Sequence, residues 1–329
     1  LPRSKAELET AIRDGSGRAV LIVNARSRRG RRLKDRARSL LTAGGLEFAE
    51  VVAVTDPTGL RALFRRVLAD APDLVVVGGG DGTVAEAVRH LAHRDVALGV
   101  LPLGTTNNFA RSLELPMDLG GAVGVLTSGK VADVDVGWFE GTGGTAAGDD
   151  PSGGDPSGGH VFANMVSLGL SVEVARHVPH ELKRALGRPA YALTAARLLP
   201  RHRAFRATIE IGGETTEVET HQLNVANGAH HSGQRIARDA SADDRLLAVY
   251  RLGDGRRMRL ASATARHVLT GPWRSLEEEA FLTTQQVRIT TDPPLPVDVD
   301  GEIRARTPVT IRLLGNALRV IVPQSFIDT

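Results

Sequence analysis

Leu74-Val75-Val76-Val77-Gly78-Gly79-Gly80-Asp81-Gly82-Thr83 sets four apolar residues against a loop almost without side chains. A short apolar run of this kind reads as a strand buried on both faces. Val84, Ala85, Ala87, Val88 and Leu91 then recur at helical spacing, so the strand turns sharply into a helix. Bare backbone at a helix N-terminus suits phosphate, because its N–H groups point outward and the helix dipole favours negative charge. Asp81 is out of keeping: a carboxylate repels a phosphate unless a metal ion or a reacting hydroxyl lies between them. For any one such loop, a glycine turn with Asp81 as helix cap is the plainer account.

Two common nucleotide motifs do not fit. No Lys-Ser or Lys-Thr closes the loop as in a Walker loop. Gly80, Gly82 and Ala85 match the dinucleotide pattern loosely. However, the next strand, Val96 to Leu101, ends in Pro102-Leu103-Gly104-Thr105 without the acid that fold needs.

That second loop, Leu101-Pro102-Leu103-Gly104-Thr105-Thr106-Asn107-Asn108-Phe109-Ala110-Arg111, again leads from a strand into a helix. Upstream, Val20 to Val23 reads as a buried strand ending in Asn24, with Ala25-Arg26-Ser27-Arg28-Arg29-Gly30-Arg31-Arg32 as a loop and Leu33 to Leu41 as a helix. Ala49 to Val54 is a strand, Thr55-Asp56-Pro57 a helix start, and Leu60 to Leu68 an amphipathic helix. Strand and helix alternate, which predicts a largely parallel, doubly wound sheet. Ligands of such sheets gather at the carboxyl ends of the strands, where all these loops lie.

From Val131 the pattern becomes strand-rich. We expect a nucleotide-binding α/β domain over 1–130 plus about 310–329, and a β-rich acceptor domain over 131–309. Glu140 to Gly159 has almost no apolar side chain and reads as a mobile insertion. Expected strands are 161–168, 204–211, 217–226, 246–252, 286–290, 296–300, 308–313 and 318–322. Helices are expected within 169–197 and over 256–269. Arg197, Arg201, His202, Arg203 and Arg206 form a basic cluster whose plain reading is solvated surface, and the histidines show no metal spacing. Asp298 and Asp300 alternate as if on one strand face before Gly301 turns the chain.

Bulk properties exclude several classes. A formal charge of +3 is too mild to argue for nucleic acid, and none is expected as a partner. No cysteine is present, so thiolate metal ligands and thiol nucleophiles are excluded. No apolar run approaches the roughly 18 residues of a membrane-spanning helix.

The two glycine loops at this spacing resemble the diacylglycerol kinase and sphingosine kinase superfamily, which carries a GGDGT loop and, one strand later, a P-x-G-T-x-N-D-x-A-R loop. Asn108 stands where most members have Asp. Asn24 and Ser27 match the family's N-P-x-S-G nucleotide loop, with Ala25 in place of proline. Val299-Asp300-Gly301-Glu302 matches its D-G-E motif. The resemblance implies an α/β domain like that of NAD kinases and phosphofructokinases, followed by a β-rich sandwich. It implies ATP and Mg2+ as cofactors, contacted by Asn24, Ser27, Thr55, Gly79, Gly80, Gly82, Thr83, Glu86, Gly104, Thr105 and Asn107. Glu302 is implied as general base, with Asp81 as the second catalytic acid. A structural Mg2+ site is implied at the Ser241 carbonyl, the Asp244 side chain and the Leu246 carbonyl, with Arg245 where the family usually has glycine. The implied partners are nucleotide and a lipid met at a membrane surface by a cytoplasmic, transiently docking protein, with homodimerisation open. The acceptor implied first is a hydroxyl of a diacylglycerol-like lipid; a kinase of sphingoid bases or of small soluble hydroxyl compounds on the same scaffold, and a nucleotide- or lipid-binding regulator without turnover, are the alternatives.

Overall fold

The computed structural model describes residues 3–25, 28–142, 159–179, 188–198, 201–228, 230–231, 234–235, 245–252 and 282–328. The N-terminal half is built on β1 (Ala19–Asn24), β2 (Glu50–Val54), β3 (Leu74–Gly79) and β4 (Ala97–Pro102). They pair in parallel in the order β2-β1-β3-β4, with Val23 opposite Gly78 and Gly79 opposite Pro102. The apolar run of β3 divides by alternation. Val75 and Val77 face a core with Phe64 and Val88, whereas Leu74 and Val76 face another with Leu8 and Leu41. Helices therefore cover both faces. On the first lie α3 (Leu60–Ala69) and α4 (Asp81–Leu91); on the second lie α1 (Lys5–Arg13), α2 (Arg28–Ala43) and α6 (Leu119–Ser128). Ser4 and Glu7 form a capping box at α1, and Asp118 caps α6 through Gly121 N–H at 2.8 Å. Between β4 and α6 lies the short α5 (Asn108–Ser112).

The C-terminal half is β-rich and antiparallel. It comprises β5 (Lys130–Thr142), β6 (His160–Phe162), β7 (Met165–Gly169), β8 (Phe205–Ile211), β9 (Glu214–Thr220) and β10 (Gln222–Ala226). The short β11 (His230–His231) and β12 (Gln234–Arg235) pair with each other, and β13 (Leu247–Leu252), β14 (Leu282–Thr284), β15 (Gln286–Asp292), β16 (Pro296–Val299) and β17 (Glu302–Val322) follow. Two helices, α7 (Leu170–His177) and α8 (Arg188–Leu198), pack together through Leu170, Val174, Ala195 and Leu198. Phe162, Leu168, Leu223, Val249, Ile289, Val299 and Ile311 share the core of this half. β17 joins the halves: it pairs antiparallel with β16, β15 and β5, and its end runs parallel to β4 with Val320 opposite Leu98. Among the described residues no helix is long and apolar enough to cross a membrane.

Several local expectations need correction. Arg28–Arg32 belong to α2 rather than to a loop. Glu140–Thr142 continue β5 instead of opening the insertion, because they pair with Arg306–Thr310 of β17. The single strand expected over 161–168 is two, split at Ala163-Asn164, whose N–H groups go to Asp300 rather than to a ladder. The strand expected over 217–226 is likewise two, broken at His221. The strands expected over 308–313 and 318–322 are one, because β17 passes through an irregularity between Leu314 and Leu318 without ending. Asp298 and Asp300 do not share a strand face: β16 stops at Val299, and Asp300 has φ of +51°. His202 is buried, its Nδ1 2.7 Å from the Glu173 carboxylate and its ring 5.2 Å from that of His221, which is also buried. The helix expected over 256–269 lies outside the described residues.

Candidate active site

The two glycine loops meet backbone to backbone. A Cβ on Gly104 would overlap the Cα of Gly80, and one on Gly80 would lie 3.2 Å from the Cα of Gly104. The approach requires glycine at 104 and leaves little room for a side chain at 80. The β3–β4 ladder runs into the contact through Leu103 N–H to the Gly79 carbonyl at 2.9 Å. Asp81 then ties the loops together. Its carboxylate accepts the Thr106 hydroxyl and the Asn108 N–H, each at 2.5 Å. Asn107 closes the second loop on itself: its side chain accepts Gly104 N–H at 3.0 Å and donates to the Gly104 carbonyl at 3.1 Å. It holds φ of +49°, a left-handed conformation that asparagine tolerates better than most residues. Arg111 Nε adds a bond to the Thr106 carbonyl at 2.9 Å.

Beside the loops opens a cavity of about 570 Å³. One wall is helical and carries Thr58, Arg61, Glu86 and Arg89; the floor is Asn24 with Gly80, Asp81, Gly82 and Thr83; across it stand Asp300 and Glu302. Asn24 donates to the Thr83 hydroxyl at 3.3 Å, joining the end of β1 to the start of α4. Thus Asn24, Gly80, Asp81, Gly82, Thr83, Glu86 and Glu302, separated by up to 278 positions, share one hollow.

Other expected contacts lie outside that lining. Gly79 is buried, and its missing side chain leaves room for Thr83. Asn107 is 7% exposed and occupied with Gly104. Thr55, Gly104 and Thr105 are exposed beyond the cavity wall. Ser27 lies outside the described residues, as do Ser241 and Asp244. Leu246, from the same metal set, is exposed and follows Arg245, which adopts φ of +58°. A left-handed residue explains why glycine suits that position.

The acids of the two walls differ. Burial pushes Glu86 upward, but His90 at 3.2 Å and Arg89 at 2.8 Å outweigh it and hold the carboxyl down at about 2. Arg61 adds its charge at 3.8 Å, and His90 is itself stacked on Phe64. Behind the opposite wall, burial and the neighbouring Asp300 and Glu302 push Asp298 up to about 6, against a bond from Gly301 N–H at 2.9 Å. Glu302 itself is 63% exposed and paired with Arg304.

Sequence reading missed Arg61 and Arg89, which carry no motif beyond their helical spacing. It also missed Asp135, 1% exposed, whose carboxylate accepts the N–H groups of Arg245 and Asn316, each at 2.9 Å. An acid at alternating register inside an apolar strand was the available signal.

Glycine loops at the carboxyl ends of parallel strands, facing an acidic turn across a cleft, define the make-up of a phosphotransferase. Comparison with known proteins gives the family. Residues 18–139 match the diacylglycerol kinase catalytic domain, and residues 164–322 match the YegS C-terminal NAD kinase beta sandwich-like domain. A diacylglycerol kinase of Bacillus subtilis (strain 168) is 28% identical over 258 residues, spanning 77% of this chain and 78% of its own length. One of Staphylococcus aureus (strain JH9) is 25% identical over 271 residues, 80% of this chain and 79% of its own. The crystal structure of a diacylglycerol kinase from Bacillus anthracis (Sterne) superposes with a TM-score of 0.73 at 25% identity, covering 93% and 97% of the two chains. By its two domains the chain belongs to the diacylglycerol kinase catalytic-domain superfamily of lipid kinases.

Proposed function

We propose that the chain is an ATP- and Mg2+-dependent lipid kinase that phosphorylates a hydroxyl of a diacylglycerol-like lipid. The observation carrying this reading is the contact of Gly80 with Gly104 in a cleft faced by Glu302. The nucleotide polyphosphate lies along Gly80, Gly82 and Thr83, where backbone N–H groups and the α4 dipole favour it. Asn24 and Glu86 complete the floor and wall, and Ser27, Thr55, Gly79, Gly104, Thr105 and Asn107 act from the loops behind. Asp81, at the phosphate loop and with lone pairs beyond its two hydrogen bonds, fits a water-bridged Mg2+ brought in with the nucleotide. The ion supplies neutralisation of charge on the transferring phosphoryl group.

In the reaction the acceptor oxygen bonds to the γ-phosphorus while its proton passes to the Glu302 carboxylate. The bond to the ADP oxygen breaks, and the proton later leaves to solvent. The second metal set of Ser241, Asp244 and Leu246 is retained as a proposal, with the left-handed Arg245 turn as its support. So is the division into 1–130 with 310–329 and 131–309. A lipid acceptor calls for transient docking at a membrane from the cytoplasm. Transfer of γ-labelled phosphate from ATP across diacylglycerol, sphingoid bases and soluble alcohols tests the reading. Label in diacylglycerol is expected; label confined to a soluble acceptor, or in none, defeats it.

A further inference from the structure

Asp300 takes no part in the steps above, yet its carboxylate gathers three main-chain donors. Oδ2 accepts Ala163 N–H at 2.7 Å, and Oδ1 accepts Asn164 and Met165 N–H at 2.8 and 3.1 Å. Its own N–H donates to the Met165 carbonyl at 3.0 Å. Charge-assisted bonds of this type are the strong ones, and three on one carboxylate fix it in place. They hold a left-handed conformation that residues with a Cβ seldom adopt: φ is +51° at Asp300, followed by +92° at Gly301, which glycine adopts freely. Asp298 holds the next link by accepting Gly301 N–H at 2.9 Å. Asp300 is therefore anchored from outside its own hairpin, and Gly301 from within it.

The other end of the cross-link is anchored as well. Asn227 donates its N–H to the Asn164 carbonyl at 2.8 Å and its side-chain amide to the Asp135 carbonyl at 2.9 Å. Glu302, by contrast, is largely exposed. Where its carboxylate reaches is decided by where the turn delivers its backbone. A misplacement of about 1 Å in such a group costs on the order of 10²-fold in rate.

We propose that Asp300 is a positioning residue for Glu302, clamping the turn onto residues 163–165 so that the base faces the phosphate loops. The inference rests on the reading of Glu302 as base. Asp300→Asn is the informative variant, because asparagine tolerates the left-handed backbone and retains one acceptor oxygen while losing the Ala163 bond. Transfer from γ-labelled ATP to diacylglycerol in mixed micelles is measured for the wild-type chain, Asp300→Asn, Glu302→Gln and the double variant, with thermal unfolding of each. Asp300→Asn is expected to lower kcat at least tenfold with KM for ATP within threefold. In the Glu302→Gln background it is expected to change the residual rate less than twofold. Wild-type kcat in Asp300→Asn overturns the proposal, as does an equal proportional loss with and without Glu302. If Asp300→Asn unfolds early, Asp300→Glu, which restores the charge on a longer arm, carries the same kcat and background comparison. Full turnover by Glu302→Gln overturns the base assignment itself, whereas an inactive Glu302→Gln beside a fully active Asp300→Asn defeats only the clamp.

Discussion

The two walls of the cleft put the same chemical group to opposite uses. On the helical wall Glu86 is buried among cations and is held ionised to about 2. On the hairpin side Asp298 is buried beside two further acids and keeps its proton up to about 6. Burial acts in the same direction on both; the neighbours decide the sign. The helical wall is thereby a settled ion cluster that contributes stability. The hairpin wall accumulates negative charge that folding alone would not select, which is the mark of a chemical site.

The contrast can be broken most forcefully at the hairpin. Glu302→Gln should lower phosphoryl transfer by about 10³-fold, the usual worth of a general base, with the melting temperature unchanged. A full rate in the labelled-ATP assay would make the two walls equivalent. Asp81→Asn comes next. It weakens the bonds to Thr106 and Asn108, each worth about 1.5–3 kcal/mol as charge-assisted bonds, and should lower transfer about 10²-fold while loosening the second loop. Faster amide exchange at Asn108 would register the loosening.

Two stability experiments sharpen the same contrast with opposite signs. Glu86 has its folded value lowered, so its contribution is present above about 4.5 and lost as pH falls through about 2. Glu86→Gln should therefore cost about 3 kcal/mol at pH 7 in urea unfolding, shrinking toward pH 2. Asp298 has its folded value raised, so its contribution is present below the ordinary range near 4 and is lost as pH rises through about 6. Asp298→Asn should accordingly stabilise the chain by about 3 kcal/mol at pH 7.5 and by little at pH 4. A cost at pH 7.5 would mean the carboxylate is favourably held there.

Much of this was legible in the residues. Leu74–Val77 announced a strand buried on both faces, and the glycines after it a tight turn into a helix; that the turn packs on a second glycine loop was not read from them. Of the motif pair, the first loop lines the cavity through Gly80, Asp81, Gly82 and Thr83, whereas the second only packs against it. What stayed hidden depends on partners far along the chain. Nothing around Asp300 says that its carboxylate serves Ala163–Met165, 135 or more positions away. Gly315-Asn316 looks like a turn between two strands; it is an irregularity whose freed Asn316 N–H is accepted by Asp135. His202 and His221 read as surface because their burial depends on how α7 and β10 are set.

β17 begins at the proposed base and ends inside the parallel sheet, 21 residues without a break. It is stiffened along much of its length by β5, with register shifts between Arg306 and Val309 and between Leu314 and Leu318. The proposed base and the last parallel pairing are thus carried on one piece of chain, whose register shift between Leu314 and Leu318 is tied down by Asp135 through Asn316 N–H.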